Sequence, residues 1–151
     1  MIIAVGCDHA GVVLKREVVK CLLDYSIGVK DVGTNDETSV DYPDYAALVA
    51  SLVSRKEVDR GILICGSGIG MSIVANKFKN VRAALCNDLY TASMSRQHND
   101  ANILVLGSRI IADELAKEIV KVWLSTEFSG GRHEQRIKKI LIIEESLEDT
   151  K

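Results

Sequence analysis

Short apolar runs alternate along this chain with stretches of helical periodicity, and that alternation limits the fold more than any single residue does. Ile2–Cys7 is a continuous apolar run, the pattern of a parallel strand buried on both faces. From Gly11 to about Tyr25, Val12, Val13, Leu14, Val18, Val19, Leu22 and Leu23 recur with a helical rhythm. Val29–Val32 reads as a short second strand. Thr34–Asp44 reads as a polar loop ending at the only proline, Pro43, with a helix over Ala46–Val53 behind it. Ile62–Cys65 is the third strand, followed by a helix from Ile69 to Phe78. Val81–Cys86, a helix from Leu89 to about His98, and Ile103–Leu106 continue the pattern. Ala112–Leu124 is an amphipathic helix, Gly130-Gly131 breaks it, and Arg132 to about Ser146 forms a last helix. Strict alternation of this kind predicts an α/β fold, a three-layer α/β/α sandwich with right-handed crossovers. The last helix has no obvious place in it. Its Ile137, Ile140, Leu141 and Ile143 are expected to dock on a second subunit.

At 151 residues the chain is expected to form one domain, residues 1–151. A net charge of −2 leaves no basic footprint for nucleic acid and no reason for a membrane surface. No apolar run reaches the roughly 18 residues of a membrane span. Met1 leads straight into an apolar strand without a leader pattern, so a cytoplasmic home is expected. The four cysteines, Cys7, Cys21, Cys65 and Cys86, form no Cys-x-x-Cys, and no histidine pair has zinc spacing. In a reducing compartment they are free thiols. Cys21 reads as a small buried hydrophobe, and so do Cys7 and Cys86.

Ligands of parallel α/β sheets sit beyond the carboxyl ends of the strands. Cys7-Asp8-His9 closes the first strand. Cys65 closes the third and runs into Gly66-Ser67-Gly68-Ile69-Gly70. Asn87-Asp88 and Gly107-Ser108-Arg109 close the fourth and fifth. Together with Gln97-His98-Asn99-Asp100, these put two histidines and one arginine near the expected ligand face. The glycine turn lacks the lysine and spacing of a P-loop. Its third glycine comes one residue early for a dinucleotide fingerprint, although Asp88 stands about twenty residues on, as a ribose-binding acid would. Turns of this kind also serve simply as tight strand-to-helix connections.

Cys65 has two readings. A thiol near a helix N-terminus gains thiolate character and can act as base or nucleophile; a thiol on an apolar strand can equally be structural. Spacing alone leaves both open. His98 is either a surface residue at a helix end or a general acid/base, whose protonated form the helix C-terminus favours. His9 suits a hydrogen bond to an anion. His133 has no supporting context and reads as solvated. Arg132 and Arg136, spaced i, i+4, are either a solvated face or a pair that grips a phosphate at a helix start.

In their order along the chain, Gly6-Cys7-Asp8-His9-Ala10-Gly11, Asp41-Tyr42-Pro43, Cys65-Gly66-Ser67-Gly68-Ile69-Gly70 and Ala75-Asn76-Lys77 resemble the ribose-5-phosphate isomerase type B family, which includes galactose-6-phosphate isomerase subunits. So do Ser95-Arg96-Gln97-His98-Asn99-Asp100, Gly107-Ser108-Arg109 and Gly130-Gly131-Arg132-His133. The resemblance implies a Rossmann-like five-stranded parallel sheet. It also implies interconversion of D-ribose 5-phosphate and D-ribulose 5-phosphate through a cis-enediolate, without metal or organic cofactor. It implies a homodimer, or a dimer of dimers, with active sites shared between chains. The family's base is either a cysteine at the strand end or a glutamate just after the third glycine. Here those positions hold Cys65 and Met71, so the resemblance makes Cys65 the base. It further implies that His98 assists ring opening, that Asp8 orients the sugar, and that His9, Arg109, Arg132 and Arg136 hold the phosphate. Gly66, Ser67, Gly68, Ile69, Gly70 and Asn99 would stabilise the enediolate oxygen, and Tyr42 would wall the sugar.

Three other expectations stand beside this one. Relatives act on six-carbon sugar phosphates, so allose 6-phosphate and galactose 6-phosphate are alternative substrates. A non-catalytic nucleotide or sugar-phosphate module would bind without turnover. A thiol redox sensor would need a resolving cysteine, and none is evident.

Overall fold

The computed structural model describes residues 1–148. Five parallel strands form one sheet in the order β2-β1-β3-β5-β4: β1 Ile2–Cys7, β2 Gly28–Asp31, β3 Arg60–Cys65, β4 Ala83–Leu85 and β5 Ile103–Gly107. Six helices accompany them: α1 Val12–Asp24, α2 Tyr42–Ser54, α3 Ile69–Ala75, α4 Leu89–Asn99, α5 Asp113–Ser125 and α6 Arg132–Glu148.

The two-residue period of the strands divides the core into two layers. Ile3, Val5, Ile62, Ile64, Leu104 and Leu106 pack against α1, α4 and α5, around the fully buried Trp123. Ala4, Leu63, Cys65, Ile103 and Val105 pack against α2 and α3, with Val49, Val53, Met71 and Ala75. The expected three-layer sandwich is therefore present. Cys7 and Cys65 end neighbouring strands but point to opposite faces.

Three boundaries differ from the expected ones for local reasons. α2 begins at Tyr42 rather than Ala46, because Pro43 stands in its first turn, where a missing N–H costs nothing, and Asp44 adds an acid there. α3 stops at Ala75 rather than Phe78. The Asn76 side chain donates to Ser72 O and Ala83 O, both at 2.9 Å, and accepts from Ala83 N–H, tying the helix end to β4. β4 is correspondingly shorter than Val81–Cys86. α6 buries no large apolar side chain in this chain. Ile140, Ile142, Ile143 and Leu147 on it are exposed, and it borders a groove of about 860 Å³ beside β4.

Candidate active site

The chain runs from β1 to one side for β2 and then returns past β1 to β3. The crevice where the winding reverses lies between the carboxyl ends of β1 and β3, the ligand position of such sheets. Cys7 pairs in register with Ile64, so Asp8, His9 and Cys65 flank that crevice. Asp8 is buried. Its Oδ1 accepts from Ala10 N–H at 3.0 Å and Gly11 N–H at 3.2 Å, capping the 3₁₀ turn His9–Gly11. His9 Nδ1 accepts from Val40 N–H at 3.2 Å, which leaves Nε2 as the ring's donor.

Cys65 is 5% exposed, and its Sγ accepts from Gly68 N–H at 3.2 Å. A negative sulfur there meets a backbone donor. Gly68 stands at φ +79°, and a Cβ on it would strike Leu85 Cδ1, so the turn geometry depends on glycine at that position. Ser67 Oγ accepts from Ile69 N–H at 3.3 Å. Two of the turn's N–H groups are thus engaged, the Ile69 one by a long, exposed bond that an incoming oxygen can replace. The ring of Tyr42 lies against Gly70, where a Cβ would come within 2.6 Å of it. Arg109 N–H donates to Gly66 O at 3.0 Å, and its guanidinium lies against Gly66.

The sequence places Ser108 at the end of β5 without giving it a role. Its N–H donates to Cys65 O at 2.9 Å and its hydroxyl to Ala10 O at 2.8 Å, joining the ends of β3 and β5 to the 3₁₀ turn. Met71, the position after the third glycine, is fully buried in the α2/α3 layer.

His98 does not lie at this crevice, contrary to the expectation from its place before β5. It stands in the last turn of α4, at the opposite end of the sheet. Arg82, ahead of β4, binds the adjoining Asn99 O at 2.9 Å. Asn102, the next residue but one after Asp100, accepts Gly61 N–H at the start of β3. A helix that follows a parallel strand runs back along the sheet, so its C-terminus must fall at that end. α4 also packs on the face away from Cys65.

A second cluster forms there. The His98 and His133 rings stack with centroids 4.2 Å apart and 7° between planes. His133 is buried rather than solvated. Burial lowers its pKa first, and the charges of His98, Arg132 and Arg136 lower it further. Gly130 and Gly131, at φ +62° and +58°, turn the chain into α6 so that Arg132 and Arg136 stand exposed beside the stacked pair. The residues expected at the site thus fall into two separate clusters. One has the thiol, the glycine turn, Asp8, His9, Tyr42 and Arg109. The other has His98, Asn99, Arg132, His133 and Arg136.

Asp88 fits a nucleotide reading poorly. Its Oδ1 caps α4 by accepting Thr91 N–H at 2.7 Å, and β5 separates β4 from β3. Among the described residues no cluster of His, Cys, Asp or Glu could hold a metal ion, and no helix is long and apolar enough to cross a membrane.

Residues 3–140 match the model of the Ribose/Galactose Isomerase family. The chain belongs to that family. It is 52% identical over 143 residues to ribose-5-phosphate isomerase B of Escherichia coli, covering 95% of this chain and 96% of the relative. It is 43% identical over 140 residues to D-erythrulose-4-phosphate isomerase of Pectobacterium atrosepticum, covering 91% of each. The fold superposes with a TM-score of 0.95 on ribose-5-phosphate isomerase B of Clostridium thermocellum, at 51% identity over 97% of this chain and 99% of that one. The ribose/galactose isomerase frame thus accounts for the fold, and members of this family carry out sugar-phosphate isomerisation.

Proposed function

We propose that this protein interconverts D-ribose 5-phosphate and D-ribulose 5-phosphate, with Cys65 as the base. The observation that carries the proposal is the Cys65 sulfur, held at the crevice of the sheet by Gly68 N–H at 3.2 Å, with buried Met71 where a carboxylate base would otherwise stand. The phosphate lies among His9, Arg109, Arg132 and Arg136. His98 passes a proton to the ring oxygen, the bond from C1 to that oxygen breaks as the anomeric hydroxyl releases its proton to water, and Asp8 orients the open-chain aldehyde. The Cys65 thiolate then takes the hydrogen from C2 as a proton. The electron pair moves into the C1–C2 bond and onto the C1 oxygen, giving a cis-enediolate held by the Gly66–Gly70 turn, Ser67 and Asn99. The O2 hydroxyl proton passes to the C1 oxygen and the Cys65 thiol returns its proton to C1, which gives the ketose and regenerates the thiolate. No step needs a metal or an organic cofactor.

A second copy of the chain completes the site. His98, Asn99, Arg132 and Arg136 stand at the wrong end of their own sheet for Cys65. A symmetric dimer brings each such cluster to the partner's crevice. The exposed Ile140, Ile142, Ile143 and Leu147 of α6 supply apolar area for that contact.

The test is Cys65→Ala assayed with ribose 5-phosphate. Turnover is expected to fall below detection with the melting temperature nearly unchanged; full activity would remove Cys65 from the reaction. The similarity to a D-erythrulose-4-phosphate isomerase supports a second reading, a substrate of different carbon number. Ribose 5-phosphate, allose 6-phosphate, galactose 6-phosphate and D-erythrulose 4-phosphate compared by kcat/KM decide between them. Binding of any of these without turnover would instead support a non-catalytic module.

A further inference from the structure

Asp100 follows Asn99 directly and closes α4 at φ +45°, in the left-handed region. Its carboxylate is gripped from two sides. Arg96, one turn back and 5% exposed, donates from Nη1 to Asp100 Oδ1 at 2.8 Å and to Ala101 O at 2.6 Å. Arg82 donates from Nη2 to Asp100 Oδ2 at 3.1 Å and from Nε to Asn99 O at 2.9 Å and Asp100 O at 3.1 Å. Arg96 is itself anchored, with its guanidinium 5.8 Å from the centroid of the Trp123 ring.

A helix can end more simply, on a glycine in the same conformation. Here the left-handed position is held by an aspartate, with two guanidinium groups on its carboxylate. What they add is a fixed orientation of the last turn of α4 relative to the sheet edge and to α5. His98 and Asn99 sit on that turn.

We infer that Asp100, held between Arg82 and Arg96, is a positioning residue for proton transfer by His98. The inference rests on the reading of His98 as the ring-opening group. His133 braces the His98 ring from α6, and the Asp100 clamp braces the backbone beneath it. With the clamp released, the last turn of α4 can rotate or fray, and the imidazole loses its alignment with the sugar ring oxygen. A misplacement of about 1 Å costs on the order of a hundredfold in rate.

The experiment separates ring opening from deprotonation. Ribose 5-phosphate is a furanose and must be opened. Ribulose 5-phosphate cannot close a furanose, because its C5 oxygen carries the phosphate. Loss of its C1 hydrogen, whether by exchange or by transfer to C2, therefore needs the base and the enediolate donors but no ring opening; NMR in heavy water follows it. Asp100→Asn removes the charge while keeping the size and the tolerance of left-handed backbone.

The expected result is a loss of turnover on ribose 5-phosphate on the order of tenfold or more, with a clearly smaller loss in C1 hydrogen release from ribulose 5-phosphate, which asks of this turn only the Asn99 contact. His98→Asn is expected to show the same split. If His98→Asn splits the two rates and Asp100→Asn slows both alike or neither, the positioning role is overturned and the reading of His98 stands. If His98→Asn shows no split, the ring-opening reading fails and takes the inference with it. Should Asp100→Asn not fold, Arg82→Gln carries the test. A smaller split of the same sense supports the clamp, and equal rates overturn it.

Discussion

Cys65 differs from the other three thiols in what its sulfur meets. Burial pushes the Cys7 thiol up to about 11, and burial likewise raises Cys21 and Cys86. These three stay protonated at neutral pH, and a protonated thiol is a poor nucleophile. The Cys65 sulfur instead accepts Gly68 N–H at the crevice, and alkylation with iodoacetamide near neutrality is expected to fall first on Cys65, with sugar phosphate slowing it. Peptide mapping by mass spectrometry checks this, and a first adduct on Cys7 or Cys86 would count against it. His133 gives a second prediction. Its folded pKa lies below the ordinary 6.5, through burial first. The unfolded chain then binds the proton more readily, so this contribution to stability is present above the unfolded value. It is lost as the pH falls from there through the lower folded value. His133→Phe keeps a ring against His98 but nothing to protonate, and should flatten the decline in melting temperature between about pH 7.5 and 5. A decline as steep as wild type would assign it to other groups.

At the scale of elements, most helices and strands were legible because periodicity reports burial, and the boundaries that moved did so for side-chain reasons. Pro43 read as a loop's end becomes a helix's start, and Tyr42 thereby reaches the face of Gly70. The glycine turn that the resemblance gives to the enediolate oxygen also depends on left-handed backbone at Gly68. Gly68→Ala would pay about 1–2 kcal/mol for left-handed backbone, and the added methyl would strike Leu85. Lower melting temperature and lower kcat together are expected, since the same shift moves Gly68 N–H off Cys65. Lys15 was not singled out in the sequence, where it is one of many lysines on a helix. Folded, its ammonium is buried and binds Asp31 Oδ1 and Thr34 O at 2.9 Å and Asn35 Oδ1 at 3.1 Å, pinning the segment after β2. Lys15→Met is expected to cost about 2 kcal/mol, the scale of a hydrogen-bonded charge, readable by chemical denaturation.

At the scale of the molecule, the separation of Cys65 from His98 is the observation with the widest reach. If each site takes its thiol from one chain and its imidazole from the other, two inactive variants can rescue each other. Cys65→Ala mixed with His98→Asn, unfolded and refolded together, yields heterodimers in which one site has both residues intact. Equal mixing should then restore about a quarter of wild-type sites. No recovery, in a mixture shown by mass to contain heterodimers, would place both residues of a site in the same chain. The groove of about 860 Å³ between α6 and β4, and the exposed apolar residues of α6, belong to the same question.

Alternation of apolar runs determined the α/β class, and the ordered motifs determined the family, because both are local: they depend on neighbours along the chain. So did the candidate residues at the ends of β1 and β3. Three things only the tertiary structure decided. Strand order put the crevice between β1 and β3 and left β4 at the edge. The stacking of His133 on His98 joined residues from α4 and α6. The closing of Arg82, from the segment before β4, on Asp100 tied the end of α4 to the sheet edge. Each depends on how elements far apart in the chain pack against one another, and no spacing in the sequence encodes that directly.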